Sequence, residues 1–245
     1  MKLSLVIPAY NEEAYIGKCL ESIAAEQARG QFDMEIIVVN NASTDRTGDV
    51  ARSFSFVRVV DEPRKGLVRA RQTGYEASSG EFVANVDADA IMPQGWIEQA
   101  FKEFALDPKL VALSGPYIYY DLSAVTNWLI LFWYRLGKVV SMMSTLIGKS
   151  GSLLQGGNFI LRRSAFERAG GFDLNFDFYG EDTAIAKKMS GQGKVKFTFS
   201  LPIYTSGRRL KAEGIFSMAW KYGINFAWTI LFNKAYTKEY KDVRL

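Results

Sequence analysis

Asp87 and Asp89 are separated by a single alanine, after the apolar run 82–86 and before Met92-Pro93. That places them in a loop just past a strand. The turn releases both side chains from strand alternation, so two carboxylates can address one cation. Mg²⁺ and Mn²⁺ prefer such oxygen ligands and complete their shell with water and a substrate diphosphate, so few protein carboxylates are needed. Taken alone, the same pair also reads as a solvated turn. The chain has no histidine, which removes the commonest general base and the commonest transition-metal ligand. Any base must be Asp, Glu, Lys, Tyr or Cys.

The elements that must position these groups alternate. Strand patterns at residues 3–7, 35–39, 56–60 and 82–86 are separated by helical spacing at about 12–28, 41–53 and 66–78. This βαβ rhythm predicts an α/β, Rossmann-like fold with a mostly parallel sheet flanked by helices. Open parallel sheets bind ligands at the carboxyl ends of their strands, so Asn11, Asn40, Asn41 and Asp87 are expected to face one crevice. The 245 residues, 48% hydrophobic and 23% charged, fit a single domain. Its first half, holding the strand-end crevice, would run to about residue 115 and its second half from 116 to 245.

Lys and Arg number 30 against 26 Asp and Glu, a formal charge of +4; this suits phosphate-bearing ligands or an anionic membrane, or is simply a solvated basic surface. A lone cysteine, Cys19, permits no disulfide within the chain. The amino-terminal residues enter a strand rather than a secretory signal. A cytoplasmic setting is expected, with no nucleic-acid partner. Two aromatic-rich stretches, 128–147 and 215–232, each carry internal cations, which are costly at the centre of a spanning helix. Lys234, Lys238 and Lys241 follow the second. Such segments read as helices lying in a membrane interface, at the inner face, or as helices packed on the sheet or on a partner chain in an oligomer.

Six segments occur in one known order: VIPAYNEE (6–13), VVNNASTDRT (38–47), KGLVRARQTG (65–74), VANVDAD (83–89), GGNFILRRSAFERAGGFD (156–173) and GEDTAIAKKM (180–189). With them the chain resembles the inverting family two glycosyltransferases of the GT-A fold. The resemblance implies a hexose-type sugar moved from a UDP- or GDP-sugar to a hydroxyl of a glycan or lipid-linked acceptor, assisted by Mn²⁺ or Mg²⁺. It also implies that Pro8, Ala9, Tyr10 and Glu12 cradle the nucleotide, where Tyr10 can stack on a base and Glu12 can accept from ribose hydroxyls. The family usually has acidic residues where Asn40 and Asn41 stand; Asn41 offers an acceptor but adds a donor.

By the same resemblance, Lys65 and Arg71 lie beside the diphosphate, Asp87 near ribose or metal, and Asp89 on the metal. Gly156, Gly157 and Asn158 form the loop beneath donor sugar and acceptor. Glu181 and Asp182 are the acceptor-side acidic pair, with Asp182 as general base. A late histidine found in many such enzymes is replaced by a basic segment, in which Arg208 or Arg209 would hold the diphosphate. Polyprenyl-phosphate glycosyl transfer and a non-catalytic nucleotide-sugar-binding module are the rival readings.

Overall fold

The computed structural model describes residues 1–146, 153–237 and 241–244. Chain order begins β1 (Leu3–Ala9), α1 (Ile16–Arg29), β2 (Met34–Asn41), α2 (Thr47–Arg52), β3 (Val57–Glu62), α3 (Leu67–Ala77), β4 (Phe82–Val86), α4 (Trp96–Leu106) and β5 (Leu110–Ser114). It continues with β6 (Tyr117–Tyr119), α5 (Ala124–Leu146), β7 (Asn158–Arg162), α6 (Arg163–Arg168), α7 (Glu181–Ser190), β8 (Lys194–Phe197), β9 (Ile203–Thr205), α8 (Arg208–Glu213) and α9 (Ile215–Phe232). The α/β architecture expected from the sequence is present.

Seven strands make one sheet in the order β3-β2-β1-β4-β7-β5-β8, and β6 pairs with β9 in a second, small one. All pairings in the large sheet are parallel except those of β7, which runs antiparallel between β4 and β5 and sets Asn158 opposite Val86. Every residue of β4 and β5 is buried, as a sheet covered on both faces requires. On one face Leu3, Leu5 and Ile7 pack with Ile16, Leu20 and Ile23 of α1 and with Trp96 and Ile97 of α4. On the other, Val6, Val39 and Val83 pack with Ala70 of α3.

Two details differ from the sequence reading. The first helix starts at Ile16 rather than near residue 12, because Asn11 takes a positive φ of 52° and residues 12–15 form a turn closed by Ile16 N–H donating to Glu12 O at 2.9 Å. Glu12 is thereby held at the strand end instead of on a helix. The second helix starts at Thr47 rather than near residue 41, with Arg46 at its N-cap position and no side-chain cap; Asp45 accepts from Thr47 N–H at 2.9 Å, while Ser43 and Thr44 bind Asn11.

The stretch foreseen at 128–147 lies on α5, except for residue 147, which is outside the described residues, as is Lys238. Among the described residues no helix is long and apolar enough to cross a membrane. Helix α3, which carries Arg71, rests on the sheet through Gly74. A Cβ there would lie 2.3 Å from Val6 Cγ1 and 3.0 Å from Val39 Cγ2. Gly74→Ala is therefore expected to destabilise the protein by about 1–3 kcal/mol, read as a lower urea midpoint with unchanged m-value.

Candidate functional site

An open cleft of about 1080 Å³ lies beyond the carboxyl ends of β1 and β4, bordered by α7, α8 and α9. The strand-end turn after β4 supplies its floor: Ala90 N–H donates to Asp87 O at 3.0 Å, and the tight return brings Asp87 and Asp89 to the same cleft. Ile91 then exchanges backbone hydrogen bonds with Tyr204 at 2.8 and 3.2 Å. That bridge ties the end of β9 to the turn. Thr205 Oγ1 consequently donates to Asp89 at 3.1 Å, and Arg208, first residue of α8, reaches Asp89 Oδ2 at 3.1 Å and Glu12 Oε1.

The Asp87 carboxylate is held from two sides. Tyr117 Oη donates to its Oδ2 at 2.6 Å while itself accepting from Gly157 N–H at 2.6 Å, and Arg71 stands 3.8 Å from its Oδ1. A Cβ on Gly157 would sit 2.0 Å from the Asp87 carboxyl carbon, so only glycine lets this loop pass. Arg71, 1% exposed, also donates to Gly156 O at 2.7 Å and forms an ion pair with Glu181.

Asp182, the second residue of α7, accepts from Thr183 N–H at 2.7 Å. The helix amino terminus favours a negative charge there. Burial nevertheless pushes its carboxyl above the ordinary range, against the opposing pull of the Thr183 amide and Arg71. The same desolvation raises Glu181, partly offset by Arg71, and raises Asp89, partly offset by Arg208. Glu12 is pushed up to about 7 by burial, with Arg208 lowering it and Asp89 raising it.

A smaller pocket opens beside the cleft, lined by Pro8, Ala9, Tyr10, Asn41, Lys65, Gly66, Leu67, Ala70 and Arg244; Pro8, Leu67 and Arg244 also line the larger one. Lys65 Nζ lies 3.8 Å from the Tyr10 ring centroid and the Arg244 guanidinium 5.2 Å from it. The ring that could stack on a base thus has cations against it. Asn41 spends its amide on scaffolding: it donates to Glu62 O and Arg64 O and accepts from Gly66 N–H at 2.8 Å.

The residues assigned a binding, metal or catalytic role by the resemblance fall into these two adjoining sites, with Asn158 as the exception. Asn158 is fully buried, its side chain accepting from Trp96 Nε1 at 3.2 Å and donating to Leu201 O at 2.8 Å. As the first residue of β7 it braces the sheet and does not line the cleft. Asn40 and Asn11 likewise turn aside, to Asp61 and Thr44, so of the four strand-end residues foreseen in one crevice only Asp87 lines the larger cleft and Asn41 the smaller pocket. Arg209 borders the cleft but is engaged by Glu213 and lies over the Phe178 ring. Tyr117 and Arg244 went unforeseen. No periodicity or spacing marks either, because each reaches the site through tertiary contacts.

Among the described residues no group of three His, Cys, Asp or Glu side chains is arranged to hold a metal. Asp87 and Asp89 suit a cation that shares its shell with a substrate diphosphate. Both are oxygen donors on one turn, and hard divalent ions accept one or two carboxylates plus phosphate.

A family model described as glycosyl transferase family 2 matches residues 4–170. The glycosyltransferase GlyA of Streptococcus pneumoniae serotype 4 is 28% identical over 201 residues, covering 77% of this chain and 28% of that protein. The chain spans about a third of the length of the curated relatives it matches. Among solved structures, a mannosyltransferase of Pyrobaculum calidifontis in complex with GDP-Man and Mn²⁺ superposes with a TM-score of 0.70 at 23% identity, covering 95% of this chain and 65% of that one. TarS 1–349 of S. aureus in complex with UDP-GlcNAc gives 0.63 at 19%, covering 84% and 58%. At these identities the likeness shows the GT-A fold.

The buried carboxyl of Glu12 makes stability depend on pH. Unfolded Glu12 releases its proton near 4.5, whereas the folded form holds it to about 7. Between these values the folded state binds more protons, so stability is fully present below the unfolded pKa and falls as pH rises through the folded one. Urea midpoints measured from pH 4.5 to 8 should decline across that window, and Glu12→Gln should flatten the decline. A midpoint that climbs with pH would contradict the assignment.

Proposed function

We propose, from the premise that the chain belongs to glycosyl transferase family 2, that it moves a hexose-type sugar from a UDP- or GDP-sugar to a hydroxyl of its acceptor with inversion. The observation that carries this reading is the convergence of Asp87, Asp89, Arg208 and Asp182 on one cleft, continuous with the pocket that holds Tyr10. The pocket would take the nucleoside, with Tyr10 against the base, while Glu12, at the cleft rim, accepts from ribose hydroxyls.

A sugar hydroxyl is a poor nucleophile until its proton is removed. Asp182 accepts that proton as the hydroxyl oxygen bonds to the anomeric carbon and the bond to the diphosphate breaks, and the nucleoside diphosphate departs. Its raised carboxyl pKa makes it a better proton acceptor than an exposed aspartate. Asp87 and Asp89 would hold Mg²⁺ or Mn²⁺, which neutralises charge building on the leaving group. Arg208 adds a fixed positive charge on the same side, suited to phosphate oxygens. Arg71 holds Asp87, Glu181 and the Gly156 loop in place.

Asp182→Asn is expected to lower kcat by about 10²–10⁴-fold while leaving donor Kd unchanged, measured by product formation and isothermal titration in parallel. Undiminished transfer would favour a phosphate acceptor, which needs no base. Donor binding without hydrolysis or transfer across plausible acceptors would favour a binding module. Arg208→Ala should weaken donor binding by about tenfold or more, the scale of one lost charge-assisted contact. Unchanged affinity and turnover in that variant would remove Arg208 from the diphosphate site.

A further inference from the structure

Helices α5 and α9 are amphipathic in the reverse of the usual sense. A surface helix normally turns its apolar stripe inward and its polar side to water. Here much of the inward side is polar, Met218 of α9 being an apolar exception. On α5, Asn127 bonds Tyr119 through both its amide atoms and Tyr134 donates to Gln155 at 2.7 Å. On α9, Asn225 and Thr229 are buried, and Asn225 accepts from Tyr236 and Thr237 N–H at 2.9 Å. The outward side chains are large and apolar: Trp128 is 63% and Phe132 51% exposed on α5, and Phe216 is 89% and Trp220 72% exposed on α9.

Single exposed apolar residues need no explanation, but aligned stripes on two helices mark a contact surface. We infer that these stripes lie in the interface of an anionic lipid bilayer, and that the acceptor is a hydroxyl-bearing group carried on a lipid in that bilayer.

Charge decides between a bilayer and a second copy of the chain. Neither helix contains Asp or Glu, whereas Arg135 and Lys138 lie on α5 and Lys234 lies two residues past the end of α9. None of these three is ion-paired among the described residues; Arg135 and Lys138 lie over the Phe199 ring. Two such faces would repel each other. An anionic headgroup layer attracts them while the aromatic rings enter the boundary region. The acceptor class follows from the position of α9, which presents Met218 and Tyr222 to the cleft and Phe216 and Trp220 to the outside. A saccharide or other hydroxyl group on a lipid carrier can enter along one side of this helix while its lipid stays with the other. This part rests on the transferase reading.

Sedimentation of the whole protein with vesicles tests the surface. Wild type should pellet with vesicles of phosphatidylcholine and phosphatidylglycerol and much less with phosphatidylcholine alone. Two double variants, Trp128→Ser with Phe132→Ser and Phe216→Ser with Trp220→Ser, should each lose about tenfold in partitioning while keeping wild-type circular dichroism. Wild type that pellets with neither vesicle, or variants that pellet like wild type, would overturn the inference. So would light scattering that shows a dimer of the wild type, with no vesicle binding, lost in the same variants. Donor titration without vesicles is read separately: donor binding without vesicle binding defeats this inference alone, and vesicle binding without donor binding defeats the transferase reading alone. With both intact, transfer to a lipid-linked hydroxyl acceptor should exceed transfer to its water-soluble head group, and equal rates would refute the acceptor class.

Discussion

The site hangs on one buried guanidinium. Arg71 is almost wholly removed from water, a costly state for a charge, and it is tolerable because Glu181, Asp87 and the Gly156 carbonyl surround it. Burial works against its charge, but Glu181 and Asp87 outweigh that and hold its pKa above the ordinary value. The four groups belong to α3, α7, the turn after β4 and the loop before β7, so one side chain fixes the mutual placement of four separate stretches of chain. Breaking such a pair by removing one partner costs about 3–5 kcal/mol, because the other charge is left buried.

A second cation organises the opposite wall. Arg208 sits between Glu12 and Asp89, and both carboxyls still lie above their ordinary pKa values. One arginine therefore does not fully offset the cost of burying two carboxylates. The cleft keeps unmet capacity for positive charge: Glu12 Oε2 and Glu181 Oε2 are buried without a hydrogen-bond partner among the described residues. Arg71 serves as scaffold, with its charge consumed by protein. Arg208 lies nearer the place where a diphosphate and its counter-ion would compete for the same carboxylates.

Much of this was legible in the chain. The first four strands and the helices between them followed from apolar runs and their spacing, since parallel strands buried on both faces leave nearly continuous hydrophobic segments. Asp87 and Asp89 stood out as two carboxylates just past the apolar run of β4, whereas Glu181 and Asp182 were reached through the resemblance to family two glycosyltransferases. Strand β7 was harder. Its residues follow two glycines and read as a ligand-binding loop, whereas the structure inserts them into the middle of the sheet and turns Asn158 into a brace. Asn41 could not be distinguished from a base-reading residue by type alone, since its amide atoms are spent on backbone groups far along the chain. Tyr117 and Arg244 were invisible for the same reason: their roles exist only once distant segments have met.

That insertion also bears on the order of assembly. Strand β7 joins residues 158–162 to β4 at 82–86 and to β5, so the sheet cannot close until a long intervening stretch, including α5, has been drawn together. Contacts of such sequence separation carry a loop-closure cost before they return any packing energy. The strands β1, β2, β3 and β4 can pair in chain order, but Gly157 reaches Asp87 only when β7 docks. The cleft is thus complete only once this contact of high sequence separation is made, while the strands β1 to β4 need no part of the chain beyond them to pair.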